Sequence, residues 1–135
     1  MKYMLDTNIC VGIIRNKAPQ VVHKLARIAI TDVTLSSITV AELQFGVEKS
    51  TRPDQNQQAL DQFLVPLTIL DFDYNAALTY GQIGAYLEAQ GTPIGSLDTL
   101  IAAQALSQSL TLVTNNTKEF SRVPGLAIED WTVSK

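Results

Sequence analysis

The apolar positions of this chain fall into two alternating kinds of run. Short uninterrupted runs end abruptly on polar residues, and longer stretches carry apolar residues at intervals of three and four. Residues 2–5 read as a short buried strand, and residues 7–16 as a helix through Ile9, Ile13 and Ile14. Pro19 opens a second helix whose apolar face is Val21, Val22, Leu25, Ile28 and Ala29. Residues 32–36 form a second strand, after which Ser37 or Thr39 begins a helix to about Ser50. Arg52, Pro53 and Asp54 start a helix rich in Gln and Asn that ends near Pro66. Residues 67–72 are strand-like. Asp73 then caps a long helix to about Gln90 with Ala76, Ala77, Tyr80, Ile83, Gly84 and Leu87 at core spacing, closed by Gly91 and Pro93. Residues 94–98 lead into an apolar helix over 99–107, residues 110–113 form a strand, and 114–120 a polar loop. Pro124 and Gly125 turn the chain into a last strand over 126–128. Strands alternating with helices imply an α/β fold with a mainly parallel central sheet flanked by helices on both faces.

Composition narrows the class. The 135 residues suit a single domain over 1–135, long enough to bury a core without disulfides or structural metals. The lone Cys10 cannot form an internal disulfide and reads as a small core residue among Ile9, Val11, Ile13 and Ile14. The single histidine, His23, excludes a His-rich zinc site and reads as a surface helix position. Met1, Lys2 and Tyr3 lead into a run that Asp6 interrupts, unlike a signal peptide, and no apolar stretch approaches ~18 residues. A cytoplasmic protein without a membrane span is expected. The net charge of −3 argues against nonspecific coating of nucleic acid, and leaves room for an enzyme with an acidic metal site.

Four carboxylates stand out, each with an ordinary structural explanation beside the chemical one. Asp6 ends the first strand, where α/β sheets bind ligands, and equally suits an N-cap. If Thr7 or Asn8 caps the helix instead, Asp6 is released for other work. Glu42 shares a helical stripe with Ile38 and Phe45, which turns the carboxylate inward if that stripe faces the core. The alternative is a capping box from Thr39 to Glu42. Asp98 precedes Ile101, Ala102 and Ala105 on one stripe, or simply complements a helix dipole. Glu119 lies in the loop after the fourth strand with Asn115 and Asn116, which also fit a plain exposed turn. Together, carboxylates from several strand ends and helix starts, with no His or Cys among them, would repel one another unless a cation were bound. Hard oxygen donors favour Mg²⁺ or Mn²⁺. One or two such ions suit attack of metal-activated water on a phosphodiester. Thr7 or Asn8 is the supporting residue expected around the ligands.

At these residues the chain resembles a PIN-domain ribonuclease, and more narrowly the VapC toxins of bacterial toxin–antitoxin pairs. The resemblance is carried by residues 4–8, by Val40, Ala41, Glu42 and Leu43 with Gly46 and residues 48–50, and by 93–95 through Asp98 and 100–103. The closing run 113–120, then 123–126 and 129–131, also matches, so the motifs span the chain in order. The resemblance implies a PIN-like parallel sheet with a metal-dependent endoribonuclease site on one edge. In it Asp6, Glu42 and Asp98 match the acidic residues, and Asp6 and Asp98 match the magnesium ligands. One position departs: many PIN domains carry Asp where this chain has Asn116. Glu119 then supplies the fourth carboxylate, or Asn116 orients water at the metal.

The same resemblance implies RNA as substrate, with initiator tRNA as one target. It also implies a VapB-like antitoxin that blocks the groove with a basic side chain, and a homodimer within the toxin–antitoxin complex. Arg15, Lys17, Lys49, Lys118 and Arg122 are candidates for phosphate contact, each with a solvated surface charge as its alternative. Two rival readings stay open: a catalytically weak module whose carboxylates dock a basic protein partner, and a metal-dependent DNA nuclease or phosphatase.

Overall fold

The computed structural model describes residues 1–133. Five strands make one parallel sheet: β1 (Tyr3–Leu5), β2 (Val33–Ser36), β3 (Thr68–Leu70), β4 (Thr111–Val113) and β5 (Ile128–Glu129). Their order across the sheet is β3-β2-β1-β4-β5. The chain builds outward from β1 through β2 to β3, then crosses back to lay β4 on the other side of β1. That reversal places a switch point between β1 and β4, the place where open parallel sheets leave a crevice beyond their carboxyl ends.

Among the described residues seven α-helices, with a 3-10 turn over Ile30–Asp32, connect the strands: α1 (Thr7–Ile14), α2 (Pro19–Leu25), α3 (Ser37–Glu48), α4 (Pro53–Leu64), α5 (Tyr74–Ala89), α6 (Ser96–Ser107) and α7 (Thr117–Phe120). The pleat of β1 and β4 divides the core. Met4 and Leu112 turn to one face, packing with Ile83, Leu87, Ile101 and Phe120. Leu5 and Val113 turn to the other, packing with Ile9, Val21, Leu43, Leu60 and Trp131. Alternate residues of one strand thus feed two cores, as a period of two requires. Cys10 is buried in the second core, where loss of water and the charge of Asp6 push its thiol well above the ordinary range. A thiol so placed is not a nucleophile. His23 is exposed on α2. No helix among the described residues is long and apolar enough to cross a membrane.

Several expected boundaries move. The second helix stops at Leu25, leaving Ile28 and Ala29 outside it, and Val22 is exposed. Ala77, expected on the core face of α5, is exposed while Ala76 is buried. α6 begins at Ser96, so Asp98 lies inside its first turn instead of ahead of the helix. The expected polar loop over 114–120 contains the short helix α7, because the buried Phe120 anchors its end in the core. The last strand pairs at Ile128 and Glu129 with Leu112 and Val113, two residues later than expected.

Candidate active site

Asp6 sits immediately beyond β1 and is 3% exposed. Its backbone N–H donates to the Val113 carbonyl at 2.9 Å, which fixes the residue at the β1–β4 switch. One carboxylate oxygen accepts the Thr7 backbone N–H at 2.7 Å, and the other accepts the Thr114 hydroxyl at 2.8 Å. Asp6 is therefore itself the N-cap of α1, and neither Thr7 nor Asn8 relieves it of that role. Capping and chemistry are compatible here because a carboxylate has two oxygens with several lone pairs. Burial raises the pKa of Asp6, the two hydrogen bonds lower it, and the charge of Glu42 raises it; the net direction is upward.

Glu42 lies on α3, and its Oε1 accepts the Thr7 hydroxyl at 2.7 Å. The capping box is absent: the N-cap of α3 is Ser36, whose hydroxyl accepts the Ile38 N–H. The stripe of Ile38, Glu42 and Phe45 meets the core only at Ile38. Phe45 is 66% exposed, and α3 buries Thr39, Leu43 and Val47 instead. Glu42 is therefore on the wall of the crevice, half-buried, and held by a hydroxyl from the first turn of α1. The same Thr7 hydroxyl is 3.3 Å from that of Thr39.

Asp98 is half-buried in the first turn of α6. Its pKa rises from 3.8 to about 6: burial comes first, then the negative charges of Asp6, Glu119 and Glu42, then hydrogen bonding with Glu119. The causes carry structural information, since one carboxylate feels three others from three separate elements. Glu119 is brought to the group by α7, where the Asn116 side-chain amide donates to it at 3.1 Å. Asn116 thus supports Glu119, and its own backbone N–H donates to Thr114 Oγ1 at 2.9 Å. Asn8 is exposed and Asn115 is exposed.

Thr114 escaped the sequence reading. It is wholly buried, and its hydroxyl links Asp6 to the backbone of Asn116. The signal was available, because Thr114 follows an apolar strand as directly as Asp6 follows β1.

The basic candidates separate. Arg15 and Lys49 line a groove of about 170 Å³ between α1, α3 and α4, together with Thr7, Glu42 and Asn56. The Lys49 ammonium also lies 5.1 Å from the centre of the Phe45 ring. Arg122 donates to the Pro93 carbonyl at 3.2 Å, near the start of α6. Lys118 is exposed beside Glu119, and Lys17 is exposed outside the groove lining. Among the described residues the sole ion pair joins the N-terminus to Asp32, so Asp6, Glu42, Asp98 and Glu119 have no cationic partner. Nor, among the described residues, do three or more of these side chains close into a group able to hold a metal ion as they stand.

The parallel sheet flanked by helices is the one the resemblance implied, its order β3-β2-β1-β4-β5 comes from the structure, and the PIN-domain family model matches residues 3–126. The chain belongs to the PIN-domain family. It is similar to the tRNA(fMet)-specific endonuclease VapC of Salmonella typhimurium, 44% identical over 131 residues that cover 97% of this chain and 98% of that protein. It is also similar to ribonuclease VapC2 of Rickettsia felis, 46% identical over 132 residues covering 97% and 98%. The solved VapBC2 structure from Rickettsia felis, bound to a DNA fragment from its promoter, matches with a TM-score of 0.92 and 46% identity over 97% of this chain and 99% of that one. In this PIN domain the acidic edge is built from Asp6, Glu42, Asp98 and Glu119, with Thr7 bonded to Asp6 and Glu42, Thr114 to Asp6 and Asn116 to Glu119.

Proposed function

We propose that this chain is a VapC-type toxin: a divalent-cation-dependent endoribonuclease that hydrolyses phosphodiester bonds of RNA and is neutralised by a VapB-like antitoxin. The observation that carries the reading is the convergence on Asp98 of the charges of Asp6, Glu42 and Glu119, each from a different element, with no Lys or Arg paired to any of the four among the described residues. Such a set is stabilised by Mg²⁺ or Mn²⁺, which prefer hard oxygen ligands. The donor chemistry fits, and Asp6 and Asp98 are the residues proposed to hold the ion. When bound, the ion supplies Lewis-acid polarisation of the phosphate and offsets the negative charge of the site.

The chain's own residues then have defined tasks. Thr7 points its hydroxyl hydrogen at Glu42 and so fixes one carboxylate oxygen, leaving the other to accept a proton from water attacking phosphorus. Without a cation the burial of Asp98 and the neighbouring charges raise its pKa to about 6, so binding the ion would release its proton and couple metal affinity to pH. Asn116 holds Glu119 against Asp98. Arg15 and Lys49 border the approach, where phosphates of a bound RNA gain opposite charge. The proposed substrate is tRNA, from the name of the Salmonella relative. The proposed partner is a VapB-like antitoxin, supported by the VapBC structures among the solved neighbours, and we propose with it a homodimer in the cytoplasm.

One observation favours a second reading, in which the carboxylates dock a basic protein partner without catalysis: no ready-made ligand group is present among the described residues. Incubating the purified chain with initiator tRNA, single-stranded DNA and a small phosphate ester, with Mg²⁺, Mn²⁺ or chelator, separates the readings. Cleavage of the RNA alone, lost on chelation and in Asp6→Ala and Asp98→Ala, is the expected result. Absence of any cleavage and of any calorimetric Mn²⁺ binding supports the docking module instead.

A further inference from the structure

α6 contributes Ile101, Ala102, Ala103 and Ala105 to the core, and in the middle of this apolar run stands Gln104, with 0% exposure. An amide in that position is costly unless each of its polar atoms is matched. All of them are. Gln104 Nε2 donates to the Leu70 carbonyl at 2.9 Å and to the Asp71 carbonyl at 3.0 Å. Two carbonyls can only be met by the amide nitrogen, so the orientation of the group is set by its partners.

The oxygen end therefore faces Ser36, whose hydroxyl donates to Gln104 Oε1 at 2.5 Å. A serine hydroxyl has one hydrogen. Once it is committed to Gln104, its lone pairs are turned to the Ile38 N–H, 3.0 Å away, and Ser36 becomes the N-cap of α3. The neighbouring Ser37 hydroxyl accepts the Phe72 N–H at 3.1 Å, strapping the same stretch beyond β3. One buried side chain thus joins α6, the start of α3 and the chain leaving β3. An apolar residue of similar length would fill the space and make none of these links.

We propose that Gln104 is a positioning residue of the acidic site, acting through Ser36 to set where Glu42 on α3 stands relative to Asp98 on α6. Asp98 lies six residues earlier on the helix that carries Gln104, about 9 Å by helical rise. Glu42 lies six residues after the cap that Gln104 orients. The inference rests on the nuclease reading above, because the spacing of these two carboxylates matters only if they act on one substrate.

The test compares the full chain with Gln104→Met, Ser36→Gly and the double variant. Thermal melting reports folding, calorimetry reports Mn²⁺ affinity, and steady-state cleavage of initiator tRNA gives kcat and KM separately. Gly is well tolerated at an N-cap, so Ser36→Gly removes the link at little cost to the helix, and it carries the test if Gln104→Met fails to fold. In folded protein each single variant is expected to lose on the order of tenfold in kcat and in Mn²⁺ affinity, with KM within about twofold. The double variant is expected to be no worse than the poorer single, as for two residues acting through one bond. A folded Ser36→Gly protein with wild-type kcat and Mn²⁺ affinity overturns the positioning role and leaves the nuclease reading intact. So do losses that merely follow the unfolded fraction. A wild-type chain that neither cuts RNA nor binds Mn²⁺ overturns both.

Discussion

The hydroxyl of Thr114 donates to Asp6 Oδ2 at 2.8 Å, joining residues 108 positions apart across the ends of adjacent strands. Because the other Asp6 oxygen is occupied in capping α1, this bond decides how the remaining lone pairs of the carboxylate are aimed. Thr114→Val keeps the shape and removes the donor. It is expected to destabilise the chain by about 1–3 kcal/mol, the cost of stranding a buried polar group, and to reduce RNA cleavage. Thr114→Ser is expected to recover both. Urea melts and initial rates on the three proteins check this.

The raised pKa of Asp98 has a definite sign in stability. The folded state holds the proton up to about pH 6, whereas the unfolded chain releases it near 3.8. Between those values the folded state binds more protons, so stability falls as pH rises through the window and the full penalty is present above it. Asp6 shifts in the same direction. Asp98→Asn is expected to be more stable than wild type at pH 7.5 without divalent cations, about equal near pH 3.5, and inactive. Chemical denaturation from about pH 3.5 to 8, in chelator, reads the slope.

Thr7 acts on Glu42 through a hydroxyl in a half-exposed position, so its loss is expected to be felt in chemistry more than in folding. Thr7→Val should lower kcat for RNA on the order of tenfold with little change in melting temperature. Thr7→Ser should remain near wild type. Parallel melts and kcat measurements distinguish this from a general loss of structure.

Phe120 and Phe45 make a contrasting pair. Phe120 is wholly buried at the end of α7, next to Glu119. Phe120→Ala is expected to cost about 3–5 kcal/mol and to depress cleavage by loosening the helix that presents Glu119. Phe45 is exposed, with Lys49 above its ring, and Phe45→Ala is expected to change stability by no more than about 1 kcal/mol. Melting of both variants decides whether the stripe through Glu42 is core or crevice wall.

The contrast shows what a helical stripe can and cannot convey. Ile38, Glu42 and Phe45 do share a face, as their spacing requires, but spacing is silent on what that face meets. On α3 only Ile38 of that face reaches the core, and packing against α1 and the sheet buries the neighbouring stripe of Thr39, Leu43 and Val47. Asp6 illustrates the same limit in another form. Capping and ligand duty looked like rivals along the chain, yet one oxygen of the carboxylate caps α1 while the other accepts the Thr114 hydroxyl, so the cap does not use up the group. For α7, the polar run 114–119 hid a helix because its stability comes from one buried ring and not from its own amphipathic pattern.

By itself the sequence determined the alternation of strands and helices, the parallel sheet and the four carboxylates, because these depend on local periodicity and on residue type. The tertiary structure alone decided that β4 lies against β1, so that Thr114 reaches Asp6, Thr7 reaches Glu42, and Asn116 steadies Glu119 beside Asp98. Those contacts join residues up to 108 positions apart, and their geometry follows from strand order and helix packing, to which no local pattern along the chain has access.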